Sequence, residues 1–191
     1  MNTLKAEKRN MDVKAKKLRR EGFVTGNLFG REIETSIPVK INKKEVERLL
    51  KTNHKGSQIV LAVDEKTYHV LIKDVVYNSM KHCVEEIDFQ ALVSGQKVHS
   101  VAEIVLQNHE KVNTGVLEEL MKEISYRALP EDLIDQISVD VGDMRVGDTI
   151  RLKDLPIASD EKIELLSDLD EVVVTVTAVN NKIPEETVTE E

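Results

Sequence analysis

The charge of this chain changes sign near residue 93, and that break limits how it can fold. Residues 1–93 carry 18 Lys/Arg against 13 Asp/Glu, a net of +5. Residues 94–191 carry 9 against 22, a net of −13, and the two values sum to the −8 of the whole chain. A chain of 191 residues has room for one large domain or two ordinary ones. The charge break selects two. The positive charge is concentrated further in residues 8–20, KRNMDVKAKKLRR, with seven basic residues and the single acid Asp12. Phosphate contacts respond to such local charge, because charge beyond a Debye length is screened. The chain therefore reads as a basic recognition module followed by an acidic one.

The cores of both modules must be aliphatic. Hydrophobic residues make up 40% of the chain, aromatics only 3%, and there is no Trp. Abundant Val and Ile lean towards β structure. Thr3–Glu7 starts a short strand. Lys14–Glu21 reads as a short helix or an ordered loop. Gly22, Gly26 and Gly30 read as turns and strand edges. Ile33, Ile37, Val39 and Ile41 alternate as a half-buried strand, with Pro38 placing it at an edge or bulge. Asn42 caps a helix whose apolar stripe is Val46, Leu49 and Leu50, with Glu45 at the reciprocal capping position. Strands follow over Ser57–Val63, Tyr68–Val75 and His82–Leu92, the first two joined by a tight turn at Asp64–Thr67.

In the second module, Lys97–Leu106 predicts a strand and Asn108–Gly115 a polar loop. Val116–Ala128 predicts a helical turn followed by a strand. Ile137, Val139 and Val141 alternate, Gly147–Asp148 marks a turn, and Glu171–Val179 gives the strongest strand signal. The expected fold is mainly β with a few short helices. It comprises an N-terminal β-barrel domain over 1–93, an acidic β-rich C-terminal domain over 94–180, and a disordered acidic tail over 181–191.

Several functions find no support. Cys83 is the single cysteine, so no intramolecular disulfide is possible, and a reducing cytoplasm suits the chain. MNTLKAEKRN lacks the apolar core of a secretion signal, and stretches such as Ile59–Val63 are far too short for a membrane span. His82–Cys83 has no second ligand pair at metal spacing, and His54, His69, His99 and His109 are scattered. Asp140, Asp143 and Asp148 do not fit a calcium loop, and no G-x-x-x-x-G-K-S/T phosphate loop is present. No base accompanies Cys83 as a nucleophile. The expectation is a soluble cytoplasmic protein that is not an enzyme, with no metal, cofactor, small-molecule substrate or membrane partner.

Three segments resemble one family. Leu18–Gly30, LRREGFVTGNLFG, is similar to L-R-x-x-G-x-I/V-P-A/G-I/V-I/L-Y-G of the bacterial large-subunit ribosomal protein that binds 5S ribosomal RNA. Lys73–Phe89, KDVVYNSMKHCVEEIDF, resembles K-D-L/V-Q-x-H/D-P-x6-H-x-D-F of the same family. Leu129–Leu155 resembles the second domain of its two-domain form, the general stress protein CTC type. The resemblance implies a barrel that grips 5S RNA, a β-rich domain extending over the subunit, a ribosome-associated location and no enzymatic activity. This chain departs at Thr25 for Pro, Asn27 for an aliphatic residue and Phe29 for Tyr. It departs again at Val76 for Gln, Asn78 for His or Asp, Ser79 for Pro and Glu86 for His, while Asp88 keeps the family residue.

The candidate RNA-binding residues are Arg9, Lys14, Lys16, Lys17, Arg19, Arg20, Phe29 and Asp88. The cations suit phosphates along a helical RNA, which is read by shape, phosphates and 2′-hydroxyls. A solvated basic face is the plain alternative, and the resemblance favours contact for Arg19 and Arg20. Phe29 fits either a sugar or exposed base, or the core. Asp88 fits an acceptor for a base amino group or a 2′-hydroxyl, or a strand-end turn residue. Ile87 and Phe89 face the core, so Asp88 points away from it. The acidic domain would meet solvent or a basic protein of the large ribosomal subunit. A second reading is a diverged stress or protein-interaction module with the same fold and weak or no 5S RNA binding.

Overall fold

The protein is described from a computed structural model covering residues 2–112 and 115–178; the acidic segment 181–191 lies outside the described residues. The first module holds β1 (Thr3–Lys8), α1 (Ala15–Arg20), β2 (Phe23–Gly30), β3 (Ile33–Asn42), α2 (Lys43–Leu49), β4 (Gln58–Val63), β5 (Lys66–Asn78) and β6 (Cys83–Ala91). Its six strands close in the order β1-β3-β2-β6-β5-β4. The pairs β1–β4 and β2–β6 are parallel, and the other neighbours are antiparallel. Closure leaves the barrel without a free strand edge.

Alternation fills the interior. Ile59, Leu61 and Val63 of β4 point inward, as do Val24 and Leu28 of β2 and Ile87 and Phe89 of β6. Helix α2 packs against β1, β2, β3 and β6 and adds Val46 and Leu49 to this core. The Asn42 side chain accepts from the Lys44 N–H at 3.0 Å, which fixes the start of the helix. Pro38 lies within β3, opposite Asn27 of β2. It takes a single bond from the other side, Arg9 N–H to its carbonyl at 2.8 Å, just past the end of β1. Its missing N–H is thus tolerated where the β1 ladder stops rather than at a sheet edge.

Gly26 sits in mid-strand, not at a turn, because β6 passes very close. A Cβ at Gly26 would lie 1.9 Å from the Ile87 carbonyl oxygen. Only a residue without a side chain lets β2 and β6 approach in this way.

The second module holds β7 (Val98–Gln107), β8 (Val116–Glu119), β9 (Glu123–Ala128), β10 (Gln136–Asp140), β11 (Thr149–Arg151), β12 (Glu164–Leu165) and β13 (Val172–Thr177). They form one sheet of order β10-β7-β9-β12 and another of order β11-β13-β8. Ile124, Tyr126 and Val139 of the first sheet share a core with Val173 and Val174 of the second. Tyr126 is fully buried with its hydroxyl satisfied, donating to the Ile134 carbonyl at 2.5 Å and accepting from its N–H at 2.8 Å. The helical turn expected after Val116 is absent: this segment forms β8 and then β9. β13 captures it in an antiparallel ladder, Val174–Thr177 against Val116–Glu119, and Val116 and Leu120 stay exposed. Tertiary pairing overrides the helical spacing.

The domains meet through the segment before β4. Gly56, at φ +91°, lies so close to β7 that a Cβ would sit 2.1 Å from the Val101 carbonyl oxygen. Ser57 Oγ donates to Asp135 Oδ2 at 3.1 Å, Gln58 Nε2 to the Pro130 carbonyl at 2.7 Å, and Lys73 Nζ to the His99 carbonyl at 2.9 Å.

Candidate nucleic-acid interface

Helix α1 is too short and too polar to fold by propensity. One buried residue, Leu18, fixes it against β2. Burying one face of a six-residue helix leaves the others in solvent, and Lys14, Lys16, Lys17 and Arg20 are all exposed. Lys17 stands 3.9 Å from Glu21, a weak pair one helical turn away. Lys14, Lys16 and Arg20 have no ion-pair partner among the described residues. The helix ends with Lys17, Arg19 and Arg20 in its last turn, where cations complement the helix dipole.

Two further cations of the segment, Arg9 and Arg19, turn inward. Arg9 donates from Nη2 to the Val13 carbonyl at 3.1 Å and braces the loop before α1. Its Nε is buried and has no partner among the described residues. Arg19 donates from Nε to the Glu85 carbonyl at 3.1 Å and lies 3.5 Å from the Glu85 carboxylate and 3.9 Å from that of Glu86. The cation facing Glu86 is therefore Arg19. Lys81 and Asn78 instead bind the Glu85 carboxylate, at 3.1 and 2.8 Å. Those two contacts, with Arg19 behind them, hold the Glu85 carboxyl below its ordinary range.

Phe29 is half-buried and outside the barrel core, although it neighbours Leu28, which is fully buried. It pairs in register with Gln90 of β6. Asp88 points outward as expected, between the fully buried Ile87 and Phe89. One of its oxygens is already engaged, accepting from the Asn27 N–H at 2.9 Å and from Asn27 Nδ2 at 3.2 Å. This bond joins β2 to β6 at Asn27, where the register between Thr25–Glu86 and Leu28–Phe89 has no backbone pair.

Four of the seven departures from the family motifs collect at this place. Thr25 Oγ1 donates to the Glu85 carbonyl at 3.4 Å, Asn27 serves Asp88, Asn78 serves Glu85, and Glu86 faces Arg19. Sequence reading treated each position separately and missed Asn27 and Glu85 as partners. The signal lay in two of the substitutions themselves, since the amides gained at Asn27 and Asn78 each donate to a carboxylate of β6.

The arrangement places exposed cations on a short helix beside the outer face of a closed barrel. Among the described residues no group of three or more His, Cys, Asp or Glu side chains is placed to hold a metal ion. No helix among them is long and apolar enough to cross a membrane.

Residues 4–89 match the Ribosomal L25p family, and residues 97–180 match the C-terminal domain of ribosomal protein TL5. The chain is 30% identical to large ribosomal subunit protein bL25 of Carboxydothermus hydrogenoformans over 172 residues, covering 89% of this chain and 85% of the relative. It is 29% identical to bL25 of Finegoldia magna, covering 92% and 83%, and 24% identical to bL25 of Thermoanaerobacter sp. strain X514, covering 86% and 82%. The chain belongs to the bL25 family of bacterial large-subunit ribosomal proteins, in its two-domain form, a family of structural proteins rather than enzymes.

Proposed function

We propose that this protein is a cytoplasmic, ribosome-associated structural constituent of the large ribosomal subunit, and that it binds 5S ribosomal RNA through its barrel domain, residues 1–93. The observation that carries this reading is the set of exposed cations at and just before α1, Lys14, Lys16 and Arg20, which no carboxylate neutralises among the described residues. Lys17 adds to them, and Phe29 and the free oxygen of Asp88 lie along the adjoining strands. Binding is electrostatic and shape-based, with the cations on phosphates and the strand face on riboses and base edges. Residues 94–180, which carry most of the acid, face solvent or a basic ribosomal protein.

A second reading is a protein-interaction module on the same fold. Glu85 and Glu86 of β6 face Arg19 of α1, Asp88 lies farther along the same strand, and Asp74 of β5 pairs in register with Asp88. Four carboxylates there oppose the approach of phosphate. A gel-shift titration with 5S RNA separates the readings, together with co-sedimentation with ribosomes in moderate salt. Saturable binding by the full chain and by residues 1–93, but not by 94–191, supports the first. Binding by the C-terminal fragment alone would overturn the division of labour.

A further inference from the structure

A cavity of about 470 Å³ opens where the two domains meet, lined by Arg31, Gly95, Gln96, Lys97, His99 and Arg127. It brings together three cations, two of them from the net-acidic module. Arg31 comes from the barrel, in the turn after β2. Lys97 leads into β7, and Arg127 on β9 pairs in register with His99 on β7. One carboxylate reaches the cluster: Glu164 stands 3.5 Å from Lys97 and 3.7 Å from Arg127. Three cations against Glu164 leave two positive charges unmatched. Arg31 has neither an ion pair nor a side-chain hydrogen bond among the described residues, and its nearest acids in sequence are Glu32 and Glu34.

The cluster is held in place. Arg127 approaches His99 Nε2 from Nε at 3.1 Å and from Nη2 at 2.6 Å. A guanidinium has no acceptor, so Nε2 is the accepting atom of both contacts. The His99 carbonyl in turn accepts from Lys73 Nζ of the barrel at 2.9 Å, which ties this end of β7 to β5.

We propose that this junction cavity takes a backbone phosphate of the bound RNA, as a second anchor separate from the α1 cations. The proposal rests on the barrel being the RNA-binding domain. Its geometry follows β2. Helix α1 leads into one end of that strand, and Arg31 follows its other end, two residues beyond Phe29. Eight residues of extended chain set the two cationic groups roughly 25 Å apart. Between them β2 presents Asn27 and Phe29, which carry no charge. Cations at both ends of β2, with uncharged Asn27 and Phe29 and the Asp88 carboxylate of β6 between them, match a helical RNA lying across the strand, with a phosphate wall at each end and riboses between. Guanidinium groups suit the anchor, since their planar fork matches phosphate oxygens.

The test uses the full chain and 5S RNA, titrated across a series of salt concentrations. The double variant Arg31→Gln, Lys97→Gln leaves the Arg127–His99–Lys73 bonds in place and should melt like wild type. It should bind several-fold more weakly, and its log–log salt slope should fall by about 0.7–0.9, the loss of one phosphate contact. The triple variant Lys14→Gln, Lys16→Gln, Arg20→Gln is measured beside it. If the triple variant flattens the slope and the double variant does not, the junction anchor is wrong and the barrel reading stands. If wild type shows no salt-dependent binding to 5S RNA, the barrel reading falls and the junction anchor with it.

Discussion

Arg19 on α1 donates from Nε to the backbone carbonyl of Glu85 at 3.1 Å and lies 3.5 Å from the carboxylate of the same residue. A side chain that the motif would assign to RNA thus ties helix to barrel. Its neighbour Arg20 is exposed and has no such tie. Two adjacent arginines therefore separate into different duties.

Arg20→Ala should weaken 5S RNA binding and reduce the log–log salt slope by about 0.7–0.9, the size of one phosphate contact. Its melting temperature should match wild type. Arg19→Ala should do the reverse, costing about 1 kcal/mol of stability after allowance for its partial exposure. Its slope should change little. Salt-dependent titrations and thermal melts of both variants check this. Equal slope losses would mean that Arg19 releases Glu85 on binding.

Asp88 calls for two substitutions, because it holds the Asn27 N–H as well as facing outward. Asp88→Ala leaves that N–H without its acceptor and should cost about 1–2 kcal/mol in chemical denaturation. Asp88→Asn keeps an acceptor oxygen for Asn27 and should melt close to wild type. If Asp88 also contacts RNA, Asp88→Asn alters binding without altering stability. An unchanged affinity would confine Asp88 to joining β2 and β6.

The architecture was legible where period 2 and turn residues agreed. Ile59, Leu61 and Val63 alternate cleanly, and the structure places all three inside the barrel. The capped helix after Asn42 was legible for the same reason, since a local cap and an apolar stripe pointed the same way. Val116–Glu119 was not, because its conformation depends on pairing with β13, more than fifty residues away. Charge marked out the basic segment but could not tell Arg19 from Arg20. That difference depends on Glu85, which folding brings beside α1 from 66 residues along the chain. Gly26 was misread as punctuation because its reason is the Ile87 carbonyl, again distant in sequence.

Gly26→Ala tests that close approach directly. The new Cβ would meet backbone rather than a flexible side chain, so relief requires β2 and β6 to separate. The cost should be about 2–4 kcal/mol, read from the denaturant midpoint. The N-terminal domain should lose cooperativity, and hydrogen exchange in β2 and β6 should rise first. A variant as stable as wild type would mean that the two strands part without strain.

Glu85 gives a pH dependence with a defined sign. Lys81, Asn78 and Arg19 lower its pKa in the folded protein relative to the unfolded chain. Its contribution is complete above the ordinary carboxylate range and fades as pH falls through the lowered folded value. The stability gap between wild type and Glu85→Gln should hold steady at neutral pH and close in strong acid. Denaturant midpoints across the acid range measure it. A gap unchanged down to the lowest pH would remove the carboxylate's charge from the account.

Glu86 stands where the family motif carries His, 3.9 Å from Arg19 Nη2 and opposite Thr25 of β2. At that distance, and with both groups partly exposed, the pair holds Arg19 only weakly; the Glu85 carbonyl holds it firmly. Glu86→His should therefore leave the melting temperature nearly unchanged. It removes a charge that repels phosphate and supplies a donor that an ionised carboxylate lacks. We expect 5S RNA binding to tighten by about 1 kcal/mol or less. Glu86→Gln divides the effect: equal tightening assigns it to relieved repulsion, while tightening confined to His assigns it to the imidazole. Weaker binding by both variants would mean that the Glu86 carboxylate makes a contact of its own with the RNA. No change in either would place this face of the barrel away from RNA and favour the protein-interaction reading.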